Sequence, residues 1–144
     1  MTVLLGKRLG KNNQIRNMKK SFNSQQLQLI SHCAGILRAC NNIPFALANK
    51  INLCKIAVDH ALKIIEGKIY LINERMTDET VVQSQKDTEL VLKEIYKIDI
   101  IELNEVDFMS LDISGDKEVV QLDGTLKKFS YRDAYFNLLG MVIS

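Results

Sequence analysis

Across residues 45–76 the apolar side chains recur at helical spacing, with Cys54, Ala57, Val58, Ala61, Leu62, Ile65, Ile69 and Ile72 forming one wide stripe. A 3.6-residue period held this long predicts a single helix of roughly that extent, which needs other elements along its length to cover the stripe. Asp59 and Lys63 form a favourable pair four residues apart, and Gly67 is a point at which the helix can bend. Lys55, Asp59, Lys63, Glu66 and Lys68 interrupt the same region. No run therefore approaches the roughly 20 apolar residues of a transmembrane helix, and integral membrane association is not expected.

The remaining elements are arranged around this helix. Ser21, Asn23 or Ser24 can cap a preceding helix that runs to about Cys40, with Leu27, Ile30, Ala34 and Leu37 on its apolar face. Asn41, Asn42 and Pro44 end it, because proline disfavours a helical residue before it. Thr77 or Asp78 begins a third helix reaching about Tyr96, whose apolar residues are Val81, Val82, Val91, Leu92 and Ile95, interrupted by Gln85 and Thr88. The period then changes to that of strands at 98–103, 106–113 and 118–122, with a turn at Ser114-Gly115-Asp116. Asp123-Gly124 marks a tight two-residue hairpin with positive φ at both positions. Ser130-x-x-Asp133 caps a last helix on which Tyr131, Tyr135, Leu138 and Val142 share a face. The predicted class is α+β: an N-terminal basic arm at 1–20, then one domain at 21–144 with three helices, a small antiparallel sheet and a C-terminal helix.

Charge is divided unevenly along the chain. Residues 1–58 hold nine Lys and Arg and no acid, while residues 59–144 hold 17 acids and 10 bases, so the segments carry +9 and −7 within a net +2. Such asymmetry points to an acidic partner. The arm bases Lys7, Arg8, Lys11, Arg16, Lys19 and Lys20 are interleaved with Asn12, Asn13, Gln14 and Asn17, a mixture suited to phosphate contacts with hydrogen bonds to sugars or bases. Arg38, Lys50 and Lys55 extend this basic set into the first two helices. Meeting the acidic half of another copy is a second use of the same charges.

Other motifs read better as structure. Gly6-Lys-Arg-Leu-Gly10-Lys11 is one residue too short for a phosphate loop, and Asn12 stands where the magnesium-binding hydroxyl belongs. In residues 127–132, Phe129 and Tyr131 lie among Lys127, Lys128 and Arg132 as in single-strand binders, yet Phe129, Tyr135 and Phe136 are expected as core anchors. A helix-turn-helix at 27–51 fails on its turn, where Ile43-Pro44 replaces the glycine such turns often contain. His32, Cys33, Cys40, Cys54 and His60 lack zinc-site spacing. Asp112, Asp116 and Glu118 lack the ligand order of a calcium loop. No spacing requires His32 and His60 to meet as an acid–base pair. Neither metal, cofactor nor enzymatic activity is expected.

The three cysteines suit buried thiols in a reducing intracellular compartment, the cytoplasm or an organelle matrix. The N-terminal stretch is basic as organelle presequences are, but it is poor in Ser and Ala and is read as retained. The expectation is a non-catalytic protein binding a polyanion, RNA before DNA, through its acid-free half. The alternative is a structural or adaptor subunit that assembles through an acidic protein surface or as a homo-oligomer.

Overall fold

The computed structural model describes residues 17–101, 103 and 113–142. Along the chain these form β1 (Asn17–Phe22), α1 (Ser24–Leu37), α2 (Phe45–Glu74), α3 (Val81–Lys93), β2 (Tyr96–Ile101), β3 (Asp116–Val120), β4 (Leu126–Ser130) and α4 (Tyr131–Val142). Strand β1 pairs antiparallel with β2, Asn17 opposite Ile101 and Phe22 opposite Tyr96. β3 and β4 form a separate hairpin. Four helices with two small antiparallel sheets make the class α+β, closed by a C-terminal helix.

Local chemistry accounts for the starts of three of the helices. Asn23 accepts a hydrogen bond from the Gln26 amide at 2.9 Å, and the Gln26 side chain accepts one from the Asn23 amide at 2.9 Å. This reciprocal capping box satisfies two otherwise orphaned amides at the start of α1. Pro44 precedes α2, where its φ of −58° suits helix entry. Ser130 Oγ accepts from the Asp133 amide at 3.3 Å at the start of α4, the arrangement its spacing predicts.

The core forms where α1 packs between α2 and α4. Leu27, Ile30, Cys33, Ala34 and Leu37 of α1 meet Leu47, Ile51, Cys54, Val58, Ala61 and Ile65 of α2, and Ala134, Leu138 and Val142 close the other side. Ile100 and Leu103 complete it. The α2 positions alternate by four and three residues, which keeps them on one face, and each Leu or Ile removed from water contributes about 1.5–3 kcal/mol. Helix α4 runs back along α1: the Tyr131 hydroxyl donates to the Ala39 carbonyl at 3.4 Å, and Lys20 Nζ donates to the Met141 carbonyl at 3.4 Å.

Three details depart from expectation. Residues 17–20, read as part of the arm, belong to β1; Met18 packs on the core and Phe22 is buried, and the lysines at 19 and 20 mask that alternation in the sequence. Residues 1–16 of the arm lie outside the described residues. Helix α3 begins at Val81, because Thr77–Thr80 is held as a turn by the Thr77 amide donating to Thr80 Oγ1 at 2.8 Å, and it ends at Lys93, so that Tyr96 opens β2 instead of closing the helix. The β3–β4 connection has positive φ at Gly124 (+85°), and among the described residues no non-glycine shares that conformation. Asp123 Oδ1 instead accepts from the Thr125 amide and hydroxyl at 3.0 and 2.6 Å. Gln121 N donates to Thr125 O and Gly124 N to Gln121 O, so the loop has three residues and a glycine bulge. The strand expected at 106–113 lies outside the described residues except for Ile113, which is buried.

Candidate interaction surfaces

The basic residues are the first candidates, and the fold separates them. Lys7, Arg8, Lys11 and Arg16 lie outside the described residues. Lys19 is exposed on β1 and stands opposite Asp99 in the strand ladder. Lys20 points to the other face, reaches the last turn of α4 and has its pKa lowered by burial. Arg38 is exposed at the C-terminal end of α1. Lys50 is buried, 7% exposed, and has a partner within the protein.

Lys55 is engaged by the first acid of the chain. Its Nζ donates to Asp59 Oδ2 at 2.5 Å, one turn along α2, while the Ser31 hydroxyl donates to Asp59 Oδ1 at 2.5 Å from α1. Lys55 Nζ also lies 3.4 Å from Ser31 Oγ, so the three side chains clamp α1 to α2. Burial pushes the Asp59 carboxyl up. The hydrogen bonds from Lys55 and Ser31, with the charges of Lys55 and Arg38, outweigh this and hold its pKa below the ordinary carboxylate value. Asp59 thus stays ionised between the Lys55 and Ser31 side chains, which suits a structural clamp. The fold therefore brings Arg38 and Lys55 together around one carboxylate, and it separates both from Lys19 and Lys20 at the opposite end of α1.

The aromatic–basic stretch at 127–132 is likewise used internally. Lys127 Nζ lies 5.1 Å from the centroid of the Phe129 ring, and the His32 ring meets Phe129 edge-on at 4.9 Å. Arg132 lies 5.7 Å from the centroid of the Phe136 ring, and Lys128 pairs with Glu118 at 3.7 Å. Tyr135 is buried as expected and Phe129 is half-buried, but Phe136 is 54% exposed and is not a core anchor. His60 is exposed on α2, while His32 packs on Phe129. Burial raises the Cys33 pKa and pushes that of Cys54 up to about 12, so both remain protonated thiols inside the core. Among the described residues no group of three or more His, Cys, Asp or Glu is placed to hold a metal ion.

A different surface emerges on α2. Leu53, Ala57, His60, Ile64, Gly67 and Leu71 alternate by four and three residues on a face other than the buried stripe. Ile64 and Leu71 are 48% and 54% exposed, and neighbouring Ile56 and Tyr70 are 57% and 62% exposed. A side chain added at Gly67 would meet nothing within 4 Å, so the face is open there. A second apolar group lies on the hairpin, where Val120 and Leu126 are cross-strand partners and Leu122 is fully exposed at the tip. The long apolar stripe drew attention in the sequence to the buried face; the weaker outward one was missed, although its heptad-like spacing is readable. Among the described residues no helix is long and apolar enough to cross a membrane. Compared with models of protein families, with curated proteins and with solved structures, the chain matches none.

Proposed function

We propose that this chain is a non-catalytic subunit of a protein assembly, docking through the outward stripe of α2. The observation carrying this reading is the set Ile56, Ile64 and Leu71, large apolar side chains about half exposed along one helix flank. Large apolar side chains repeated along one exposed helix flank are costly to leave in water and are a common mark of a protein contact. The helix spans about 45 Å, long enough to present a continuous contact to another chain.

A photo-crosslinking residue placed at Ile64, in cells that make the protein, tests it. Crosslinks to a protein chain are expected, and to be lost with Leu71→Glu while the circular dichroism spectrum is unchanged. Crosslinks to nucleic acid alone, or none at all, would overturn it.

A second reading keeps RNA binding by the acid-free half, supported by nine bases without an acid in residues 1–58. Among the described candidates, Lys19 and Arg38 are the exposed bases. Titration with labelled single-stranded RNA over several salt concentrations separates the two. Six phosphate contacts from the arm bases predict a log–log salt slope of about −4, lost when those six are neutralised. A salt-independent or absent signal removes this reading.

A further inference from the structure

We infer that α3 is a strap that lifts from α2 as a unit while the remainder of the fold stays closed. This concerns the seam between α2 and α3, whose rim includes Leu71 at the distal end of the outward stripe. Ser84 alone is buried in α3. Val81, Asp87, Thr88 and Val91 are half-buried, whereas Val82 and Leu90 are 64% and 67% exposed. The less exposed face of α3 is thus polar at its centre, and the Thr88 hydroxyl donates back to the Ser84 carbonyl of the same helix at 2.9 Å. Two clefts of about 360 and 390 Å³ share Ser84 as a lining residue; Leu71 and Ile72 line one, and Met76 the other.

Apart from Val91, which packs on the core near its C-terminal end, such a seam offers little apolar burial to a 13-residue helix, a length at which helices are marginal without tertiary support. Its N-terminus is also weakly closed. Thr80 makes no side-chain cap to α3 and turns its hydroxyl to the Thr77 amide and carbonyl. At the other end Glu94 Oε2 accepts from Lys68 Nζ at 3.2 Å and from the Tyr96 hydroxyl at 3.1 Å. That clasp joins the end of α3 to α2 and β2, but both members of the ion pair are solvent-accessible, so it is screened and weak. Lifting the strap bares the half-buried Ile72 beside Met76, which is already 43% exposed, and so extends the apolar surface at the distal end of α2.

Hydrogen exchange of the full chain, followed by mass spectrometry and corrected for intrinsic rates, tests the strap. Amides of α3 are expected to exchange on the order of a hundredfold faster than those of α1. Ser84→Leu, which adds apolar volume between the clefts, should slow α3 exchange roughly tenfold. Glu94→Gln, which removes the charge from the clasp, should speed it by about two- to fivefold. Amides of α1 should keep their rates in both variants. One common rate for α1 and α3, or an equal response of both helices to Glu94→Gln, would overturn the inference. Glu94→Gln changes an exposed side chain and carries the test if Ser84→Leu does not fold.

Discussion

Helix α2 is covered by a second helix near each end, and the two contacts are built from different material. Toward α1, Ile51, Cys54, Val58 and Ala61 interlock with Leu27, Ile30 and Ala34, and the Ser31–Lys55–Asp59 clamp seals the rim. Toward α3 the middle of the contact is Ser84 and Thr88, flanked by clefts. The first contact gains by removing apolar surface from water and satisfies its polar groups at the edge; the second has polar groups where the apolar ones belong. One helix can therefore be rigid at its proximal half and loosely covered at its distal half.

The largest test of this contrast is a pair of truncations. Ile51→Ala should cost about 2–5 kcal/mol in urea unfolding, because it leaves a cavity in a closed core, whereas Leu90→Ala should stay within about 0.5 kcal/mol. Comparable losses at both positions would break the comparison. The caps come next. Asn23→Ala should cost about 1 kcal/mol, since it removes the reciprocal bonds at α1, and Thr80→Ala should cost α3 clearly less, because Thr80 does not cap it.

The clamp supplies a pH test of similar size. The folded pKa of Asp59 is depressed, so its stabilisation is present above the unfolded-state value and is lost as pH falls through the folded one. Asp59→Asn should cost about 1 kcal/mol at neutral pH, a figure discounted because the Asp59 side chain is 39% exposed. The gap between wild type and variant should close in acid, as read by thermal unfolding across pH. A gap that widens in acid would reverse the assigned sign. The smallest effect expected is that of salt: raising ionic strength should weaken the Lys68–Glu94 clasp more than the partly buried Lys55–Asp59 pair, seen as faster exchange in α3 than in α1.

Much of the fold was legible along the chain because it is locally encoded. Asn23 and Gln26 announce the start of α1, Pro44 the entry to α2, and Ser130 with Asp133 the start of α4, since each acts on backbone within a few residues. The surface was less readable. Nothing near Lys55 in sequence says that Ser31, 24 residues away, will share its carboxylate partner. Lys50 looks like a surface base by type, yet it is buried because its position falls beside the apolar stripe. Strand β1 escaped notice because its partner, β2, lies some 75 residues further along the chain.

Periodicity, caps and turn residues by themselves determined the four helices, the hairpin and the α+β class, because these depend on contacts between near neighbours whose chemistry is written in order. The division of charge was equally plain. Only the tertiary structure decided which bases remain exposed, which are spent on Asp59 or covered by other elements, and which of the apolar faces of α2 stays in water. Those outcomes depend on the direction in which each helix packs, a property of long-range contacts that no short stretch of residues contains.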